Sequence, residues 1–177
     1  MSSLNFKGFA RVALVAGLSL GLSACFRPLY GPTASGQQLQ DALAAIEIPE
    51  ITWPEPRARF AHYLRSELIF ALNGSGAEVP KRYVLTLSYN QGLTTPIVDT
   101  ESGRALSATI TGNLTYTLKA KDGSQVVATG VATAYASYDR FQQRFATVRA
   151  ARDAEIRLAK TLAEQVRTRL SAALTRT

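Results

Sequence analysis

The sequence predicts an α+β fold: a mainly antiparallel sheet of about four strands with two helices on one face, in the order strand-helix-strand-strand-strand-helix. Three observations predict it. Apolar residues occupy every second position through residues 83–89 and 106–118, the period of a strand with one dry face. Apolar residues recur at helical spacing through residues 57–72 and 158–170. Asp122-Gly123 stands between two strand patterns, where a tight hairpin needs positive backbone angles. Consecutive strands followed by a helix form a sheet covered on one side.

The elements justify themselves in chain order. Lys7 and Arg11 form a basic start, and Val12 to Leu22 is an uncharged, mostly apolar run. A bilayer-spanning helix needs about 20 apolar residues, so this run is too short to be one. It has the length of the apolar region of an export signal. Residues 1–24 are therefore expected to be a removable signal, and 25–44 an N-terminal arm. Pro28, Gly31, Pro32 and Gly36 make that arm irregular, while Phe26, Leu29 and Tyr30 are more apolar than a plain tether requires. One domain, 45–177, follows.

Ala45 to Ile51 alternates apolar and acidic residues around Pro49, which fits a short edge strand. Arg57 to Leu72 is the first helix, with Phe60, Leu64, Leu68 and Ala71 on one stripe and Asn73-Gly74 as its stop. Tyr83, Leu85, Leu87 and Tyr89 form the dry side of the next strand. Leu106, Ala108, Ile110, Leu114, Tyr116 and Leu118 form that of the longest one, interrupted only by Gly112, with Ser, Thr and Asn residues between them. After the turn at Lys121–Ser124, residues 125–137 form the partner strand. Its many alanines imply something bulky lying over it. A helix is expected from about Tyr138 to Leu174, with a break near Ala146–Thr147. Leu158, Leu162, Val166 and Leu170 would pack it on the sheet.

Composition narrows the function. Lys and Arg outnumber Asp and Glu by 20 to 13, which favours anionic partners such as nucleic acid, membrane surfaces or phosphorylated glycolipids. The single cysteine excludes an internal disulfide, and a single histidine, His62, argues against a metal site built from His and Cys. No nucleophile, base and orienting acid are spaced for catalysis. Gly74-Ser75-Gly76 lacks the lysine of a phosphate loop. No catalytic residue, metal or cofactor is expected.

The signal ends in Leu22-Ser23-Ala24-Cys25, which resembles the lipobox of bacterial lipoproteins. That resemblance implies a diacylglycerol on the Cys25 thiol, cleavage before Cys25, and acylation of the new amino group. Each buried methylene contributes about 0.8 kcal/mol, so three chains anchor a domain permanently. Phe rather than Asp at position 26 implies, by the enteric sorting scheme, the periplasmic face of the outer membrane.

The mature start Cys25-Phe26-Arg27-Pro28-Leu29-Tyr30-Gly31 resembles that of the LPS-assembly lipoproteins, the LptE family, although the glycine that often follows the cysteine is missing. The predicted element order agrees with that family's fold. The resemblance implies a one-to-one complex with a large outer-membrane β-barrel, the LPS translocon, in which the lipoprotein plugs the barrel, assists its assembly and binds LPS. Nucleic acid is then not the partner. The motif carries no LPS-contacting residues, so candidates come from charge and position: Arg104 before the long strand, and Lys119 and Lys121 at the hairpin tip. The alternative is an accessory lipoprotein of another envelope transport or secretion complex, binding protein rather than LPS.

Overall fold

The computed structural model describes residues 38–176 apart from 75, 77 and 124. The export signal, Cys25 and the motif from Cys25 to Gly31 lie outside the described residues. The elements are helix α1 (Leu39–Ala44), strand β1 (Ile46–Glu47), helix α2 (Ala58–Asn73), strands β2 (Tyr83–Thr94), β3 (Ser107–Ala120) and β4 (Val126–Asp139), and helix α3 (Arg144–Leu174).

The sheet order is β1-β2-β3-β4. Strands β2, β3 and β4 form an antiparallel meander. At its edge β1 pairs parallel to β2, Ile46 with Tyr83 and Glu47 with Val84. The α+β architecture is as the sequence predicts, and the parallel edge makes the sheet mixed. Helix α2 causes this: it carries the chain back across the sheet, so the strands on either side of it run the same way.

Three local expectations change. The first strand shrinks to two residues because Pro49 ends the pairing. The carbonyls of Ile48 and Pro49 are taken up instead by the Arg65 guanidinium, at 3.4 and 3.2 Å. Leu39–Ala44, at the end of the expected irregular arm, is a helix whose Leu39, Ala42 and Leu43 are buried. A run this short offers too few turns for a period to show, and tertiary packing holds it. Last, β4 continues to Asp139, and α3 starts at Arg144 and runs unbroken for 31 residues. Thr147, expected near a break, instead closes the strand-to-helix junction. Its hydroxyl accepts from the Phe141 N–H at 2.9 Å and donates to the Phe141 carbonyl at 3.1 Å.

Among the described residues the helices pack on one side of the sheet. Phe60, Leu64, Leu68 and Leu72 of α2 and Leu158, Leu162, Val166 and Leu170 of α3 are buried together with Leu85, Tyr89, Ile110, Leu114 and Leu118. The alanines of β4 that implied a bulky neighbour (Ala132, Ala134 and Ala136) lie in the same core. Gly112 belongs to the dry side, because a Cβ there would stand 3.0 Å from the Tyr89 ring and 3.2 Å from Leu158. Leu106, expected as the first residue of that side, falls just outside β3 and is 41% exposed. Helix α3 also seals the outer edge of β4. Arg157 and Gln165 each donate to a β4 carbonyl at 3.0 Å, those of Ser137 and Thr133, and Arg169 donates to that of Val131. Occupied carbonyls cannot accept a foreign strand.

Candidate functional site

The uncovered side of the sheet is polar and self-bonded. Thr109 pairs with Ser137 at 2.8 Å, Thr133 donates to Asn113 at 2.8 Å, and Thr117 meets Thr129 at 3.4 Å. These are cross-strand pairs of the kind that stabilise a sheet without a core behind it. Val131 and Tyr135 stand exposed among them. At either end this side runs into a group of cations, and the two groups differ.

One end is the tip formed by the β2–β3 loop and the β4–α3 junction. Beyond β2 the chain doubles back. Val98 bridges Ala105, the Leu106 N–H donates to Ile97 and the Asp99 N–H to the Arg104 carbonyl, both at 2.8 Å. Gly103 supplies the positive φ of +68° that the turn needs. The Asp99 carboxylate accepts the N–H groups of Ser102 and Glu101 at 2.8 and 2.9 Å. Those bonds, the one from Ser102 first, hold its pKa below the usual carboxylate value. The loop is thus a built support for Arg104. The Arg140 N–H joins it to the junction by donating to Leu106 at 2.8 Å.

Arg104, Arg140 and Arg144 then line one open cleft of about 400 Å³, with Ala105, Phe141 and Thr147. Among the described residues none of these three guanidinium groups makes an ion pair. Phe141 is 52% and Phe145 77% exposed, and Leu93, Ile97 and Val98, which precede Arg104 at the end of β2 and in the β2–β3 loop, are also exposed. Cationic forks beside uncovered phenyl rings suit an amphiphile with an anionic head.

The other end is the β3–β4 hairpin. Lys119 is exposed at the end of β3. Lys121 is bound to Glu47 at 2.8 Å, and Lys81 donates to the Ala44 carbonyl at 2.6 Å. The three residues expected to bind LPS are therefore not one site. Arg104 precedes β3 and Lys119 and Lys121 lie at its far end; a 14-residue strand separates them by about 46 Å, at about 3.3 Å per residue. The sequence reading passed over Arg140 and Arg144. Their signal was present as Arg140-Phe141-Gln142-Gln143-Arg144-Phe145, a repeated basic-aromatic doublet.

His62 is exposed on α2, edge-on to the Tyr63 ring with centroids 6.1 Å apart. Among the described residues no three of His, Cys, Asp or Glu stand close enough to hold a metal ion, and no helix is long and apolar enough to cross a membrane.

The family profile named LptE and described as lipopolysaccharide-assembly matches residues 43–170. A search for relatives among curated proteins returns no match. Among solved structures, a candidate lipoprotein from Caulobacter crescentus CB15 is similar at 23% identity, covering 77% of this chain and 95% of its own, with a TM-score of 0.60. A minor lipoprotein from Acinetobacter baumannii is similar at 16% identity, covering 72% of this chain and 90% of its own, with a TM-score of 0.47. The Caulobacter likeness extends to the fold across nearly all of that protein.

Proposed function

The chain belongs to the LptE lipopolysaccharide-assembly family, and from that premise we propose that it is an outer-membrane lipoprotein, anchored through Cys25, that plugs the LPS translocon barrel and binds LPS at the arginine-lined tip. The tip is the observation that carries this reading. LPS is a phosphorylated, multiply acylated glycolipid. Arg104, Arg140 and Arg144 offer planar donors for its phosphates, Phe141 offers apolar area in the same cleft, and the exposed Phe145 and Leu106, which follow Arg144 and Ala105 in sequence, add to it. The lumen of a large outer-membrane barrel is polar. The open side of the sheet, with its Thr, Ser and Asn pairs, supports insertion there. Val131 and Tyr135, exposed on that side, would be its apolar contacts for the barrel wall.

Residues 1–24 serve as the export signal and Cys25 as the acylated first residue. Cys25→Ala should abolish lipidation and leave an uncleaved precursor that is released from membranes. Depleting the protein should stop LPS reaching the cell surface and stop a large barrel from assembling. The protein should also co-purify with that barrel one-to-one. Normal surface LPS and a normally assembled barrel after depletion would sink the proposal. They would favour an accessory role in another envelope complex.

A further inference from the structure

A second surface lies away from the arginine tip. Gln38, where the described chain starts, forms one wall of an open groove of about 420 Å³. Leu39 and Leu43 of α1, Phe70 and Ala71 near the end of α2, and Arg167 of α3 complete it. Leu39 and Leu43 are buried in the core, whereas Phe70 is 74% exposed. Phe70 lies off the face that α2 buries, between Leu68 and Leu72 in sequence. It serves no contact in the core, yet it borders a groove of mixed lining in which Gln38, Gln40 and Arg167 stand beside Ala71 and the edges of Leu39 and Leu43.

We propose that this groove seats the chain's own arm segment Phe26–Tyr30. The arm enters the domain at the groove itself, since Gln38 is both its continuation and a wall of the groove. From Tyr30 to Gln38 the chain can reach about 29 Å at full extension, more than enough to double back. Pro32, Thr33, Ser35 and Gly36 in between are turn formers. Phe26, Leu29 and Tyr30 give three large apolar side chains in five positions. A plain tether has no need of such side chains.

The consequence rests on the lipid-anchor reading; the docking does not. A free arm from Cys25 to Gln38 would let the domain wander about 45 Å from its anchor. A seated arm leaves Cys25 next to the domain. The groove adjoins the end of α2, and that end lies by β1 and Lys81, at the hairpin end of the sheet. The acyl chains would then be fixed at the pole opposite the arginine tip.

The test uses the full-length lipoprotein purified from membranes in mild detergent. Intact mass first reports whether Cys25 carries its lipid, so failure of the anchor reading is seen separately; if Cys25 is a free thiol, the variants are remade with Cys25→Ser. Leu29→Cys or Tyr30→Cys is combined with Phe70→Cys and oxidised. An intramolecular disulfide is expected in at least one pair, and none with Ser88→Cys on the open side of the sheet. Amide exchange over residues 26–31 should be slowed at least tenfold relative to a free chain, and Phe70→Ser should restore the free rate. Disulfides between two molecules would give the groove to a second copy, and protection appearing only in the barrel complex would give it to the barrel. Either result overturns the proposal, as would free-chain exchange with no cross-link.

Discussion

At the hairpin pole the fold holds two cations, Lys121 by Glu47 and Lys81 by the Ala44 carbonyl, and leaves Lys119 exposed. At the tip Arg104, Arg140 and Arg144 share a cleft with the half-exposed Phe141 ring and make no ion pair among the described residues. Both poles are basic, and both lie where a loop leaves a long strand. The difference lies in what the charges already touch. A cation bonded into the fold has spent much of its capacity for a ligand, and one held in place without an ion pair has spent less, although Arg104 still feels the Asp99 carboxylate through space. Net charge favours an anionic partner, and on the proposed reading the state of pairing points to the tip.

The strongest test of the contrast removes the tip. Arg104→Ala, Arg140→Ala and Arg144→Ala together should weaken LPS binding by the purified protein about 100-fold, roughly 1 kcal/mol per exposed charge-assisted contact. Binding to immobilised LPS at fixed salt measures it. The thermal midpoint should stay where it is, since no ion pair is lost. A loss of less than threefold would make the two poles equivalent.

A change beneath the hairpin pole should do the reverse. A Cβ on Gly130 would stand 2.6 Å from the Tyr116 hydroxyl and 2.9 Å from its ring carbon. Gly130→Val should therefore cost about 1–3 kcal/mol of stability, the usual range for overpacking. Urea unfolding should show it, and the folded protein should bind LPS as before. Unchanged stability would mean that Tyr116 moves freely, and the hairpin pole would lose its standing as structural.

The phenyl rings come next. Phe141→Ser with Phe145→Ser should reduce LPS binding about tenfold, and stability should move by no more than about 0.5 kcal/mol because surface changes away from packing rarely do more. Equal binding of LPS and of a phosphorylated sugar without acyl chains would remove the rings from the site.

How much of this was legible follows from burial. The β3 alternation could be read because one side of that strand is dry from Ala108 to Leu118 and the other stays polar. The α3 stripe could be read for the same reason, with Leu158, Leu162, Val166 and Leu170 all fully buried. The direction of β1 could not, since two paired residues contain no directional information. Helix α1 was hidden by its length. Arg140 and Arg144 were hidden by a boundary. With the last helix started at Tyr138 they fall among its solvated residues. With β4 ending at Asp139 and α3 starting at Arg144, they sit at a junction tied to Leu106 and facing Arg104 across one cleft. An error of a few residues in a helix start displaced two residues of the site.

The smallest expected effect is the sharpest check on the comparison. Lys121 and Glu47 are about half exposed, at 54% and 41%. A solvent-exposed pair contributes about 0–1 kcal/mol, reduced further by salt. Lys121→Ala should therefore shift stability by no more than about 0.5 kcal/mol, and Lys119→Ala with Lys121→Ala should change LPS binding less than threefold. Glu47→Gln refines this. It frees the Lys121 ammonium without removing it, so the hairpin pole gains an unpaired cation while its shape stays the same. If charge pairing alone separates the poles, Glu47→Gln should raise LPS binding at low salt by a small factor, and 0.5 M salt should erase the gain. If binding does not change, the phenyl rings and the built loop of the tip distinguish the poles more than the pairing does. The Phe141 and Phe145 variants would then be expected to lose more than the arginine variants.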